Sequence, residues 1–158
     1  MATTPKVQTF WQNFLNGLPA DARLKSMPDA WGFGDSAEMA DSLGCLVQAG
    51  TKTATCSLRW VYDQELEPMP KVGDLNIILD GNELPLCIIE ITEITHKPYN
   101  EVDAQFAHDE GEGDRSLNYW REAHWNFFTR QCADLNREVS EDMPLVCERF
   151  RVVYKNLQ

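Results

Sequence analysis

Positive charge is scarce in this chain. Lys and Arg number 14 against 25 Asp and Glu, a formal net charge of -11 over 158 residues. No lysine- or arginine-rich run relieves the imbalance, so the surface repels a polyanion on average. That disfavours an extended nucleic-acid track and favours a small ligand or a single exposed nucleotide. No stretch approaches the roughly 20 apolar residues that span a bilayer. The opening segment from Met1 to Lys6 lacks the apolar core of a secretion signal. These absences lead us to expect a cytoplasmic protein with no membrane partner. Cysteine is limited to Cys45, Cys56, Cys87, Cys132 and Cys147, with no C-x-x-C pair. An odd count without paired spacing points to reduced, mostly buried thiols rather than a disulfide framework or a zinc site. Also missing are internal repeats, a P-loop, a dinucleotide fingerprint, a Ser-His-Asp elbow and an H-E-x-x-H pair. We therefore expect no cofactor and no metal, and the sequence carries no signal of oligomeric state.

What is present suits one folded domain with a sizeable core, since 43% of residues are hydrophobic and 25% charged. Val7, Phe10, Trp11, Phe14, Leu15 and Leu18 follow helical spacing up to Pro19. A second helix is expected after Asp35, read as its N-cap with Glu38 three residues on, and closing at Gly50. From Thr53 the pattern becomes strand-like. Thr53, Thr55, Ser57 and Arg59 alternate with Ala54, Cys56, Leu58 and Trp60, so the hydroxyl set lines one face and the apolar set enters the core. Strands are expected from Leu75 to Leu79 and from Leu86 to Ile94, joined by a turn at Asp80-Gly81-Asn82. A short helix in the acidic 100–114 segment precedes a longer one capped by Asp114, with Leu117, Trp120, His124, Phe127 and Phe128 on one face. A last strand runs from about Leu145 to Tyr154. The sum is a mixed α+β domain, a compact barrel-like sheet flanked by helices.

Chemistry concentrates at Gly50-Thr-Lys-Thr-Ala-Thr-Cys-Ser57 and at Glu110-Gly-Glu-Gly-Asp-Arg-Ser116. Lys52 beside several hydroxyls could deprotonate one if desolvation made it neutral, or stabilise an oxyanion if it stays charged. Thr55 is one candidate nucleophile, with Thr53 and Ser57 comparable on spacing. In a regular strand residues 52 and 55 face opposite ways, so Lys52 must lie in a turn or beside a bulge to meet Thr55. Cys56 is a conceivable nucleophilic thiol only in an electropositive setting. The acidic run admits three readings: a solvated loop with a helix cap, a divalent-cation site, or the donor of one buried carboxylate. It fits no EF-hand spacing. His124 reads as a hydrogen-bonded core histidine. Trp31, Phe33 and Tyr119 are the aromatics best flanked to meet a ligand.

Five segments in order resemble the ASCH domain family, a branch of the PUA-like superfamily: Trp31-Gly-Phe-Gly-Asp35, Gly50-Thr-Lys-Thr-Ala-Thr55, Pro70-Lys-Val-Gly-Asp74, Glu110-Gly-Glu-Gly-Asp-Arg-Ser-Leu117 with Tyr119-Trp120, and Cys147-Glu-Arg-Phe150. The resemblance covers roughly Trp31 to Tyr154. It implies a small mixed β-barrel with flanking helices and a cleft lined by the G-x-K-x-x-T segment, over 31–158, with residues 1–30 a helical extension packed on that domain. Many family members were proposed to bind RNA, and some are described as ribonucleases. Small bacterial members are amidohydrolases that release the acyl group of N4-acetylcytidine and related nucleosides with a lysine, a threonine three residues later and a glutamate. By resemblance these roles fall on Lys52, Thr55 and Glu110, with Glu112 the rival glutamate. The substrate would meet Trp31, Phe33, Thr53, Ser57, Arg59, Glu112, Arg115, Ser116 and Tyr119. The expected partner is a nucleoside. The alternatives are a ribonuclease or RNA-binding module using the same cleft, and a non-catalytic reader of a modified base.

Overall fold

The computed structural model describes residues 4–23 and 26–155. Helix α1 spans Pro5–Asn16, with Thr4 as N-cap accepting from the Val7 amide and Pro5 in the first turn, where a missing N–H is harmless. Strand β1 is the two-residue Ala30–Trp31. Helix α2 is Ala37–Gln48. Its N-cap is Ser36, not Asp35: the Ser36 hydroxyl accepts from the Met39 amide, which puts Glu38 in the first turn rather than three residues after the cap. Strand β2 is Ala54–Leu58 and helix α3 is Arg59–Glu65. Strands β3, Leu75–Leu79, and β4, Pro85–Pro98, pair antiparallel. Helix α4 is Ala104–Glu110, helix α5 is Leu117–Asp134 and strand β5 is Pro144–Lys155. The five strands are hydrogen-bonded in the order β1-β3-β4-β5-β2, so the sheet is mixed, with β1 parallel to β3 and β2 antiparallel to β5. The α+β class is as expected.

Two compact units make up the chain. One comprises Met1–Gly50, Gly73–Glu90 and Arg151–Gln158; the other comprises Thr51–Val72 and Ile91–Phe150. In the first, the apolar stripe of α1 (Val7, Phe10, Trp11, Phe14 and Leu15) is buried against Ala30, Ile77, Leu79 and Ile88. The 1–30 segment is thus represented in a core by its helix, because five large side chains on one face must leave water. In the second unit, Ala54 and Leu58 of β2 join Phe106, Trp120, Phe128, Cys132, Met143, Leu145 and Cys147 in a separate core. Alternation in β2 therefore runs as expected, with Ala54, Cys56 and Leu58 inward. It stops two residues early, before Arg59 and Trp60. Arg59 opens α3 and sits 4.0 Å from Asp63 one turn on, while the Ser57 hydroxyl lies 3.0 Å from the Tyr62 hydroxyl and the Arg137 guanidinium covers Trp60. These contacts favour a helix over continued alternation. All five cysteines are free, with Cys87, Cys132 and Cys147 buried. Among the described residues no helix is long and apolar enough to cross a membrane.

Candidate active site

The site is assembled inside the second unit from three pieces of chain. The first is the 51–53 strap before β2. It is sewn to the end of α4 by the Thr53 amide donating to Asp109 O at 2.8 Å, with the Thr53 hydroxyl on the same carbonyl at 3.3 Å. The second is the end of α4 itself. Gly111 closes that helix at φ +74, and a Cβ there would lie 2.6 Å from the Thr51 carbonyl oxygen. Only glycine meets both demands, and the strap can therefore lie directly on the helix end. The third is α5, capped by Ser116, whose hydroxyl accepts from the Tyr119 amide. Asp114 is not the cap; it accepts from the Ser116 amide in the turn before it.

This arrangement buries Lys52 and Glu110 almost completely, at 1% and 0% exposure. The Lys52 ammonium donates to Glu110 Oε1 at 3.0 Å, to Glu112 Oε2 at 2.8 Å and to the Ala54 carbonyl at 3.0 Å. The α4 terminal carbonyl of Glu110 lies 3.5 Å away, so the cation also sits at the negative end of a helix. Residues 58 and 60 positions apart in sequence thus meet at one nitrogen. Burial pulls the amine down, but Glu110 and then Glu112 outweigh it and hold Lys52 above the ordinary lysine range. Lys52 is a stable cation here. A charged amine has no lone pair with which to take a proton, so Lys52 as it stands is not a neutral base.

Glu110 is surrounded by donors. Its Oε2 accepts from Trp120 Nε1 at 2.6 Å and lies 3.4 Å from His124 Nε2, while the Cys56 thiol also hydrogen-bonds to the carboxylate. Burial alone would raise its pKa; the Lys52 charge, then His124, overcome that and hold it far below the usual carboxylate range. A carboxylate so held is a poor proton donor. Glu112 differs: it is 16% exposed and makes the shorter bond to Lys52. Burial, then the Glu110 charge, push the Cys56 thiol well up, so it is protonated and not a nucleophile at neutral pH.

Cys56, Glu110 and His124 bring one donor atom each within 4.8 Å of one another. They do not fit a metal ion well. The Lys52 ammonium already shares the carboxylate, and Trp120 Nε1–H holds its other oxygen.

The other expected site residues divide as follows. Thr55 is half-buried on β2, opposite Glu148 of β5, one peptide group beyond the carbonyl that Lys52 holds. Alternation turns it, with Ser57, to the face away from Cys56. Arg59 is exposed at the start of α3. Arg115 donates from Nε to His108 O at 2.9 Å and stands at φ +67, so it braces the loop between α4 and α5. Thr53, Ser57 and Ser116 each have a structural hydrogen bond, as given above. Tyr119 is exposed and its ring lies over Gly113, where a Cβ would come within 2.4 Å of it. Trp31 and Phe33 belong to the other unit. Phe33 is buried and packs edge-on against Trp31 at 4.7 Å; Trp31 donates its indole N–H to Asn76 Oδ1 at 2.9 Å. Sequence reasoning missed Trp120 and His124 as partners of Glu110. Their four-residue spacing on one apolar face was visible, but it reads equally as plain core.

The comparisons bear on the family and the fold. A sequence model of the ASCH domain matches residues 29–154. The crystal structure of an ASCH domain from Lactobacillus crispatus JV V101 is 39% identical, with 98% of each chain covered and a TM-score of 0.91. A protein of known structure from Enterococcus faecalis V583 is 44% identical, covering 95% of this chain and 89% of its own, with a TM-score of 0.85. A hypothetical protein at 16% identity, with a TM-score of 0.53, shares the fold alone. No curated protein matches the chain.

Proposed function

The chain belongs to the ASCH domain family, and on that premise we propose that it is an amidohydrolase that removes the acyl group from N4-acylated cytidine-type nucleosides such as N4-acetylcytidine. The observation that carries the reading is the buried Lys52 ammonium clamped between two carboxylates, one sealed and one open to solvent. A structural ion pair needs no such asymmetry, and buried charges cluster where chemistry needs them. The acyl carbonyl would place its oxygen toward Lys52, whose positive charge stabilises the oxyanion. Thr55 Oγ1 attacks the carbonyl carbon. Glu112 accepts the threonine proton and passes it to N4 as the C–N bond breaks, which releases cytidine and leaves an acyl-threonine ester. Water, deprotonated by the same Glu112, then hydrolyses the ester and returns the proton to Thr55. Glu110 holds Lys52 in place, and Tyr119 offers a face on which the pyrimidine stacks. No metal enters this scheme, and the free thiols suit the reducing cytoplasm.

The test is incubation of the protein with N4-acetylcytidine, with and without chelator. Cytidine and acetate released at equal rates in both arms support the proposal. Intact N4-acetylcytidine alongside shortened single-stranded RNA would replace it with the ribonuclease reading.

A further inference from the structure

We infer that His124 is held as an imidazolium, and that it is a positioning residue that keeps Glu110 ionised and aimed at Lys52. Three geometric observations converge on this. His124 Nδ1 lies 2.8 Å from the Trp120 carbonyl oxygen one turn back on α5. A carbonyl oxygen only accepts, so Nδ1 carries a proton. On the other side of the ring, Nε2 faces Glu110 Oε2 at 3.4 Å. That carboxylate already accepts from Lys52 and Trp120 and is ionised, so an unprotonated Nε2 would set a lone pair against an anion. Neither neutral tautomer satisfies both sides. The ring also lies nearly parallel to the Trp120 indole, centroids 4.2 Å apart and planes 17° apart, an arrangement that favours a cationic ring.

Charge balance points the same way. The groups around the ring are Glu110 at the end of α4, Glu112 in the loop beyond it, the protonated Cys56 thiol from β2, and Lys52 on the far side of the Glu110 carboxylate. Two carboxylates, Glu110 sealed and Glu112 16% exposed, stand against one ammonium and leave an excess negative charge beside the ring; the imidazolium cancels it. Burial lowers the tendency of His124 to protonate, but Glu110 outweighs burial and the ring stays charged above the ordinary histidine range. Deprotonation would turn an attraction into a repulsion at Oε2. Glu110 would then leave the position from which it fixes the Lys52 ammonium.

Only the kinetic arm of the test rests on the amidohydrolase reading. Nitrogen-15 spectra of the wild-type imidazoles near pH 7 should show His124 with both nitrogens protonated, titrating above the ordinary histidine range. Glu110→Gln should shift that titration downward. A ring with one bare nitrogen near pH 7 overturns the inference, whatever the protein hydrolyses. A zinc-induced shift of the His124 signals overturns it too, because Nε2 would then be a metal donor. In kinetics, His124→Gln should lower kcat for N4-acetylcytidine about ten- to hundredfold, the loss of one charge-assisted bond. KM should change little, and the alkaline limb of the wild-type kcat profile should vanish. An unchanged alkaline limb in His124→Gln overturns the positioning role. A doubly protonated ring in a protein that leaves N4-acetylcytidine intact overturns the amidohydrolase reading instead, and leaves the imidazolium standing.

Discussion

Replacing Glu110 by Gln keeps the shape of the side chain and removes its charge. The Lys52 ammonium then retains Glu112 at 2.8 Å and the Ala54 carbonyl at 3.0 Å, but loses the buried anion at 3.0 Å. The amide would also present either a donor or a weaker acceptor to Trp120 Nε1–H, which now sits 2.6 Å from a carboxylate oxygen. Breaking one side of a buried, hydrogen-bonded pair is worth about 3–5 kcal/mol. In a domain of this length that corresponds to a fall in Tm of roughly 6–20 °C. Glu112→Gln is the internal control. Its side chain is 16% exposed and water can take over its contacts, so the loss should be about 1 kcal/mol, or roughly 2–4 °C. Thermal unfolding followed by far-ultraviolet circular dichroism near neutral pH reads both. A Tm for Glu110→Gln within about 2 °C of wild type, or a larger loss for Glu112→Gln, would refute the claim that the sealed carboxylate anchors the site and the open one is free for chemistry.

Further outcomes follow from the same geometry. Gly111→Ala forces a left-handed residue and a 2.6 Å approach to the Thr51 carbonyl, so stability should fall by about 1–3 kcal/mol or more in chemical denaturation. Thr55→Ala should reduce N4-acetylcytidine turnover at least about a hundredfold while Thr55→Ser retains part of it, and mass spectrometry of a quenched wild-type reaction should find an acyl adduct on Thr55. Cys56→Ser should keep most of the activity, and brief alkylation of the wild type near pH 7 should leave it active, because the thiol stays protonated. Stability should also follow pH with two signs. The contribution of Glu110, whose pKa is depressed, is present above its ordinary 4.5 and is lost as pH falls toward the folded value. That of His124, whose pKa is raised, is full below its ordinary 6.5 and is lost as pH climbs through the folded value. Denaturation midpoints should therefore be highest between about pH 4.5 and 6.5 as far as this pair is concerned, and His124→Gln should flatten the alkaline decline.

Local patterns dictated much of the architecture. The stripe from Val7 to Leu15, the alternation in β2, the β3–β4 pair and the last strand all rest on side-chain periodicity. A sequence displays that period directly, because a helix or strand with one apolar face has one way to bury it. The cap of α2 passed from Asp35 to Ser36, and α3 replaced the end of a strand at Arg59. Neighbouring hydrogen bonds and ring contacts decide such ends, and propensity hardly separates the choices. Lys52, Thr55, Glu110 and Glu112 could be picked out as chemical groups in advance. Their protonation states could not, since a pKa depends on what lies within a few ångströms. Folding alone set the strap of Lys52 on the end of α4, brought Trp120 and His124 of α5 to the same carboxylate, and sealed Glu110 while leaving Glu112 at the solvent edge. Residue types belong to the chain; the distances that set a lysine between two carboxylates and a core histidine against one of them exist only once segments far apart in sequence are packed together.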